Sequence, residues 1–349
     1  FIGVNIVMYY SPIPLCVAFE PINLCNAQCF CCPYTEFAMD KTFTKEKMSK
    51  EQITYLIEDW AKLLKEHNIP AWGSAILPWR YSDPLVNPHL ETVLELADKH
   101  KIVVSLTTNA ISFGKKQCDL LQKYKHTLSK IFISVIGFTE EEVWEQMKVR
   151  RERTFKSLKF VRDNYPEISG MMDIAIKNRS QKSAPPKVIE KYQKLLARGG
   201  RAKAKTNWMS NRLGKGDDDW TKPTNWKPSE ESFVNGCGLS AGKILNRLEI
   251  MVSGRAALCC DMSYDRNFPK EKWDMGSIFD IGIKGVWENL TKYHKLIYAQ
   301  EFSKEKLDLI CNDCDRSGIN TLGWTLDKTV GHQRRQRKKF PTKTTEQSI

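Results

Sequence analysis

Four cysteines lie within eight residues near the start of the chain, in the stretch "NLCNAQCFCCPY". Cys25, Cys29 and Cys32 have the spacing C-x3-C-x2-C, and Cys31 directly precedes the last of them. Three thiolates on one loop can ligate a [4Fe–4S] cluster and leave its fourth iron without a protein ligand, so that this iron can bind a small molecule. Zinc is the alternative metal, but a zinc site normally takes a fourth Cys or His nearby.

A second set of cysteines lies in the last third of the chain. Cys237 and Cys259 are widely spaced, and Cys311 and Cys314 form a C-x-x-C pair. Four thiolates would saturate a second [4Fe–4S] cluster, and they would equally hold a structural zinc ion. Cys260 is an alternative ligand to Cys259, and the spacing does not decide between them.

The segments around the cysteines predict an α/β fold. Short β-branched runs alternate with longer segments of helical period through the first two-thirds of the chain, which indicates βα units and a parallel sheet. The six predicted strands are "LCVAFEPI", "SAILPW", "KIVVSLTT", "KIFISVIG", "MMDIAIKN" and "RAKAKTNW". The predicted helices are "SKEQITYLIEDWAKLLKEH", "NPHLETVLELADKH", "KKQCDLLQKYKH", "TEEEVWEQMKVRRERTFKSLKFVRDN" and "PPKVIEKYQKLLARGG". Six apolar residues of the first helix recur at helical spacing and should face the sheet: Ile53, Leu56, Ile57, Trp60, Leu63 and Leu64.

Composition changes after the sixth predicted strand. The stretch "GKGDDDWTKPTNWKPSEES" is rich in Gly, Asp, Pro and Trp and predicts a linker. A hairpin "RLEIMVSGRAALCCD", with its turn at Ser253-Gly254, and a helix around "IKGVWENLTKYHKLIYAQEF" follow. The predicted organisation is an N-terminal segment (1–14), a domain of βα units (15–213), the linker (214–235), a small second α+β domain (236–325) and a basic tail (326–349).

The net charge of +13 permits two kinds of partner. Clustered Lys and Arg bind nucleic acid, whereas a basic surface also attracts an acidic electron donor such as flavodoxin or ferredoxin. Acidic residues are interspersed almost everywhere except in the C-terminal block "HQRRQRKKFPTK", which reads as a solvated tail. An RNA-binding or RNA-modifying protein is therefore the alternative from another class.

With no apolar run long enough to span a bilayer and no signal peptide, we expect a cytoplasmic protein whose thiols are reduced.

The first cysteine motif, directly after the first predicted strand and with Asn26 following the first cysteine, resembles that of the radical S-adenosylmethionine (SAM) superfamily. The resemblance implies a partial (β/α)6 TIM-like barrel whose site lies at the C-terminal ends of the strands. In that family the open iron binds the amino and carboxylate groups of SAM. Electron transfer from the cluster then gives a 5′-deoxyadenosyl radical, which removes a hydrogen atom from the substrate.

Further segments resemble the SAM-binding positions of the family. The stretch "RYSDPLVNPHL" occupies the place of a Gly-Gly-Glu-Pro segment, which implies that Ser82 and Asp83 hold the SAM ammonium group. "SLTTNA" is similar to a Thr-Asn-Gly segment and implies a role for Asn109. As an alternative, Asp83 followed by Pro84 is an ordinary helix cap with a favoured first-turn proline.

Two later segments complete the implied SAM site. Ser134, in "FISVIG", resembles a serine that contacts the ribose, and Arg150 or Arg151, in "MKVRRERTF", would pair with the SAM carboxylate. A solvated helix face is the alternative for the arginines. Cys31 and Cys118 are candidate hydrogen-atom donors, because spare thiols have that role in some radical SAM epimerases, although inert buried cysteine is commoner.

The C-terminal cysteines resemble the shortened SPASM or "twitch" domain, which implies an auxiliary [4Fe–4S] cluster ligated by Cys237, Cys259, Cys311 and Cys314. Family members of this layout include 2-deoxy-scyllo-inosamine dehydrogenase-like enzymes and peptide maturases. The resemblance therefore implies net oxidation of a small sugar-like or cyclitol substrate, with the auxiliary cluster as electron acceptor. Modification or epimerisation of a peptide is the alternative within the family.

Overall fold

The structure, a computed structural model, describes residues 11–180, 182–197, 203–206, 246–259 and 274–303. Its described strands form one sheet of nine strands in the order β6-β5-β4-β3-β2-β1-β7-β8-β9. The strands are β1 (Cys16–Phe19), β2 (Ala75–Leu77), β3 (Val103–Thr108), β4 (Leu128–Ile136), β5 (Met172–Lys177), β6 (Lys203–Thr206), β7 (Arg247–Ile250), β8 (Arg255–Ala257) and β9 (Asp274–Ser277).

The first six strands are parallel and lie in chain order, which confirms the predicted α/β fold with its partial barrel. Helices connect them. The α-helices are α1 (Pro33–Ala38), α2 (Lys50–Glu66), α3 (Leu90–His100), α4 (Lys115–Lys123), α5 (Glu140–Met147), α6 (Arg151–Asn164), α7 (Pro166–Gly170), α8 (Pro186–Gln193) and α9 (Ile278–Ser303). Short 3₁₀ turns cover Ala71–Gly73 and Pro84–Val86.

Helix α2 packs against the sheet as its sequence predicts. Ser49 caps it in a capping box, because its hydroxyl accepts from the Gln52 backbone while the Gln52 side chain accepts from the Ser49 backbone. The indole of Trp60 is fully buried and donates to the Pro14 carbonyl at 2.8 Å. All six residues predicted for the buried face are buried: Ile53, Leu56, Ile57, Trp60, Leu63 and Leu64.

The segment predicted as one helix after β4 is two helices, α5 and α6. Lys148 ends α5 in a left-handed conformation with φ 56°, and α6 begins at Arg151. The prediction of a continuous helix was wrong because helical periodicity continues on both sides of the break. The break frees the last carbonyl groups of α5 for partners outside the helix.

The predicted C-terminal hairpin is confirmed and joins the barrel sheet. Strand β7 pairs parallel with β1, and β8 pairs antiparallel with β7. Strand β9, which we did not predict, pairs with β8. Helix α9 matches the predicted helix but is interrupted at Gly282 (φ 67°), where the Ile283 amide donates to Asp59 of α2 at 2.9 Å. The linker (214–235) and the basic tail (326–349) lie outside the described residues, and the domain boundaries stay predictions.

The two faces of the parallel sheet differ in burial. On β4, Ile131, Ile133 and Val135 are almost completely buried and belong to the core beneath the helices. The alternate residues Phe132 and Ser134 are only partly buried. Because alternate strand residues point to opposite faces, Phe132 and Ser134 lie on the face away from the helices, which we call the inner face.

Among the described residues, none of the helices has the length and apolar character that a membrane span needs.

A substitution at the hairpin turn tests the packing of β7–β8 against α9. Gly254 has φ 80°, and a Cβ there would overlap the Phe279 ring. We expect Gly254→Ala to lower the free energy of unfolding by roughly 1–3 kcal/mol. Gly170→Ala is the matched control, since nothing lies within 4 Å of its added Cβ. Urea unfolding followed by circular dichroism measures both variants, and equal losses would contradict this packing.

Candidate active site

The cysteine loop that follows β1 is held by the end of α5. The amides of Gln28 and Phe30 donate to the carbonyls of Met147 and Gln146, each at 2.9 Å. These acceptors are the terminal carbonyls that the break at Lys148 leaves unpaired within the helix. No local sequence pattern indicates this contact, because it joins segments more than a hundred residues apart.

The four thiols of the cysteine loop lie close to one another. Burial raises the pKa of Cys25 to about 12 and that of Cys29 well above its ordinary value. The negative charges of Cys31, Cys32 and Cys25 raise the pKa of Cys29 further, so the four thiols lie close together. Ligation needs the thiolate form, and a bound cation is what would offset this cost.

The thiols do not converge on a single point. In the described part of the chain, no three His, Cys, Asp or Glu side chains are placed to hold one metal ion. In a [4Fe–4S] cluster each thiolate ligates a different iron, so the cluster needs thiols that surround it rather than meet at one atom. Three thiols on one loop can each ligate a different iron, so the donor set fits the predicted cluster.

Two asparagines connect the cysteine loop to the end of β3. The Asn109 side-chain amide donates to the Asn26 side-chain oxygen at 2.6 Å and lies 3.8 Å from the Cys25 sulfur. Asn26 in turn donates to the Ser112 hydroxyl at 2.7 Å. Asn109, predicted from its motif, is thus placed beside Cys25.

Asp83 is buried between the ends of β2 and β3. One carboxylate oxygen accepts from the Leu85 amide at 3.0 Å, and the other accepts from the Thr108 hydroxyl at 2.7 Å and the Asn109 amide at 3.0 Å. The first contact is the helix cap that we considered as the alternative. Burial raises the pKa of Asp83, whereas its hydrogen bonds lower it. Its charge also raises the pKa of Cys25, so it lies near the cysteine loop.

Ser82 and Ser134 differ in their surroundings. The Ser82 hydroxyl oxygen is buried and has no hydrogen-bond partner among the described residues. Buried polar groups are normally paired, so this hydroxyl fits a ligand group bound at the strand ends. Ser134 is half-buried on the inner face of β4.

The two arginines predicted to bind a carboxylate have contacts within the protein. Arg151 donates to the Phe138 carbonyl at 2.7 Å and forms an ion pair with Glu140 at 3.6 Å. Arg150 is exposed and stacks on the Trp144 ring. The exposure of Arg150 agrees with the alternative of a solvated helix face, whereas Arg151 is partly buried, and the carboxylate role of either arginine stays a prediction. We missed Lys177, at the end of β5, whose positive charge lowers the pKa of Cys29 and which therefore lies near it.

The candidate hydrogen-atom donors occupy different environments. Cys118 is fully buried in the core on α4. Hydrogen-atom transfer requires contact with the substrate, so this burial argues against our prediction for Cys118. Cys31 is partly exposed in the cysteine loop and stays a candidate.

Cys259 is the predicted auxiliary ligand that the structure describes, and it lies beside the barrel. The Arg80 guanidinium donates to the Cys259 carbonyl at 3.1 Å. Arg80 also forms an ion pair at 3.7 Å with the buried Glu249, which pairs with Arg247 as well. The other predicted ligands, Cys237, Cys260, Cys311 and Cys314, lie outside the described residues.

Comparison with protein-family models identifies two domains. The Radical SAM superfamily model matches residues 19–178, and a model described as SPASM, an iron-sulfur cluster-binding domain, matches residues 242–315. The second range contains Cys259, Cys311 and Cys314, whereas Cys237 precedes it. No curated protein sequence matches the chain significantly.

Several solved structures are similar to this chain. BtrN in complex with AdoMet and 2-DOIA has a TM-score of 0.49 and 16% identity over 89% of this chain and 94% of that one. Streptococcus suis SuiB bound to S-adenosylmethionine has a TM-score of 0.48 and 17% identity over 89% and 72%. Native anSMEcpe with bound AdoMet has a TM-score of 0.49 and 13% identity over 93% and 96%.

Cysteine substitutions test the assignment of the first cluster. After anaerobic reconstitution, we expect Cys25→Ala, Cys29→Ala and Cys32→Ala each to lose about four irons per chain, because each removes one ligand of a cubane. The Cys118→Ala protein should keep the iron content of the wild type, since the Cys118 thiol is buried in the core and is not a predicted ligand. Iron and acid-labile sulfide analysis measures the change. Full iron content in Cys25→Ala would refute the assignment.

Ser82 and Asp83 should respond differently to substitution. Ser82→Ala removes an unpaired hydroxyl, so the free energy of unfolding should change by less than about 0.5 kcal/mol while SAM affinity falls about fivefold. Asp83→Asn disturbs three hydrogen bonds and should cost roughly 1–3 kcal/mol of stability. Urea unfolding and equilibrium dialysis with labelled SAM measure the two effects. Unchanged SAM affinity in Ser82→Ala would contradict its assigned contact.

Proposed function

Since this chain contains a radical SAM domain and a SPASM domain, and is therefore an enzyme that uses [4Fe–4S] clusters and SAM, we propose that it oxidises a small sugar-like or cyclitol substrate. The observation that carries the proposal is the hydrogen-bonded unit at the strand ends, in which Asp83, Asn109 and Asn26 converge beside Cys25. When bound, the cluster and SAM supply a 5′-deoxyadenosyl radical that takes a hydrogen atom from a substrate carbon.

The chain's own residues would hold and orient the cofactor. Cys25, Cys29 and Cys32 would ligate the cluster, and the unpaired Ser82 hydroxyl would accept a hydrogen bond from the SAM ammonium group. The charge of Asp83 would favour that cation from close by. Lys177, near Cys29, is better placed for the SAM carboxylate than Arg151, whose guanidinium is occupied by Phe138 and Glu140.

A polar inner face supports a hydroxyl-bearing substrate. Thr107 of β3 pairs in register with Phe132 of β4, and both are partly buried on the inner face, as is Ser134. The hydroxyls of Thr107 and Ser134 can donate to and accept from the hydroxyls of a sugar or cyclitol ring. The core and the helices cover the opposite face, so the reaction would take place on the inner face.

The net oxidation would need a second electron acceptor near the substrate. Removal of a hydrogen atom takes one electron and one proton, and formation of a carbonyl requires loss of a second electron and a second proton. We place the acceptor at the auxiliary cluster, ligated by Cys237, Cys259, Cys311 and Cys314. Its support is the contact of Arg80, a residue between β2 and Ser82, with the Cys259 carbonyl.

The net charge of +13 favours an acidic reductant such as flavodoxin or ferredoxin.

Cofactor cleavage tests the proposed chemistry directly. Anaerobically reconstituted protein, reduced with dithionite in the presence of SAM, should form 5′-deoxyadenosine and methionine. Cys29→Ala should form neither product, because the cluster that supplies the electron would be absent. Chromatography with mass detection measures both products, and no 5′-deoxyadenosine from iron-loaded wild-type protein would end the proposal.

The Arg80 contact makes a prediction about the auxiliary cluster. Arg80→Gln removes a positive charge that touches Cys259, so the oxidised cluster becomes relatively more stable and its reduction potential should fall. Arg247→Gln is the matched control, because it also removes a positive charge that pairs with Glu249. The contact with the Cys259 carbonyl described above is made by Arg80. Redox titration monitored by electron paramagnetic resonance, in a Cys25→Ala background, gives the potentials. Equal shifts in the two variants would contradict a specific role for Arg80.

A further inference from the structure

The inner face is unevenly charged, and its basic residues lie on β5 and β6. Asp173, Ala175 and Lys177 alternate along the inner face of β5. In β6, Ala204 packs against the core, so Lys203 and Lys205 on either side of it point to the inner face. Both of these lysines are exposed.

Strand register places these lysines beside the predicted SAM site. Ser134, Ala175 and Lys205 form one row across β4, β5 and β6, and Phe132, Asp173 and Lys203 form the row below it. Neighbouring strands lie about 4.8 Å apart, so Lys205 starts about 10 Å from Ser134, and its side chain spans much of that distance. Lys177 is one row closer to the C-terminal ends of the strands, near Cys29.

The nearby acid does not neutralise these lysines. Asp173 is almost completely buried and already pairs with Lys130 at 2.7 Å. Lys177, Lys203 and Lys205 form no ion pair with an acid in the part of the chain that the structure describes. An excess of positive charge on one wall of a site attracts an anion and repels a cation.

We propose that Lys203 and Lys205 bind an anionic group of the substrate, so that the substrate is an acidic sugar or cyclitol bearing a phosphate or a carboxylate. This inference rests on the proposed function and narrows its substrate class. It disfavours an aminocyclitol, whose ammonium group would be repelled by the same wall. Lysine binds phosphates and carboxylates as a flexible point charge, and the small side chain of Ala175 separates Ser134 from Lys205 in their row.

Lysines on an edge strand can also hinder association between sheets. That role predicts that loss of the two lysines changes the oligomeric state, whereas our proposal predicts a change in ligand preference. The two effects are measured separately, the first by size-exclusion chromatography and the second by ligand binding.

Four sugars with the same ring test the proposal. Binding of glucose, glucosamine, glucose 6-phosphate and glucuronate to the reconstituted, SAM-loaded protein is measured by saturation-transfer nuclear magnetic resonance titration. We expect at least one of the two anionic sugars to bind about tenfold more tightly than glucose, and glucosamine to bind more weakly than glucose. Preference for the phosphate over the carboxylate, or the reverse, identifies the anionic group.

Variants connect this preference to the lysines. Lys203→Gln/Lys205→Gln should remove the preference, and Lys203→Arg/Lys205→Arg should keep it. Lys156→Gln/Lys159→Gln makes the same change in net charge on the exposed surface of α6 and should also keep it. Equal binding of the four sugars, no binding of either anionic sugar, or an unchanged preference in Lys203→Gln/Lys205→Gln would overturn the proposal. Formation of 5′-deoxyadenosine by the same wild-type preparation separates failure of this inference from failure of the proposed function.

Discussion

The buried carboxylate of Asp83 is the contact on which the geometry of the strand ends depends. A carboxylate removed from water is stable only when donors surround it, so its three hydrogen bonds fix the positions of Leu85, Thr108 and Asn109 relative to one another. Asn109 then extends its side-chain amide toward Asn26 and the Cys25 sulfur. The turn after β2, the end of β3 and the cysteine loop are thereby held as one unit. The helix cap that Asp83 forms with Leu85, which we considered as an alternative to a role in SAM binding, is therefore one of the contacts that hold this unit together.

Much of the barrel was predictable because burial imposes a period on the sequence. Every predicted strand of the barrel exists, and the buried face of α2 contains the six residues chosen from their spacing. The cysteine motif was visible because ligands of one cluster must be close along the loop. Strand β9 was missed because its residues, "DMGS", lack both apolar alternation and β-branching.

Contacts between distant segments could not be predicted. Nothing near Lys148 marks a helix end, and yet the carbonyls that this break frees support a loop more than a hundred residues earlier. Arg80 and Cys259 are 179 positions apart, so no local pattern reveals that they touch. The arginines next to Lys148 satisfied the chemistry of a carboxylate site in sequence, but in the fold Arg151 is occupied by Phe138 and Glu140.

Charged residues form two separate groups on the inner face of the sheet. Beside β1, β2 and β7, the buried Glu249 pairs with the buried Arg80 and with the half-buried Arg247, and Arg80 contacts the Cys259 carbonyl. On β5 and β6, Lys177, Lys203 and Lys205 surround a single acid that is already paired. The first group connects the segment after β2 to the Cys259 loop through contacts within the protein. The second group leaves positive charge available to a ligand.

The central claim is that three thiolates after β1 hold a cluster whose remaining iron binds SAM directly. It is tested by electron-nuclear double resonance on the reduced Cys259→Ala/Cys311→Ala/Cys314→Ala variant, in which the barrel cluster would give the signal, with SAM carrying ¹⁷O in its carboxylate. The account predicts a hyperfine coupling between the cluster and the labelled oxygen. A reduced cubane that shows no such coupling at saturating SAM would contradict it.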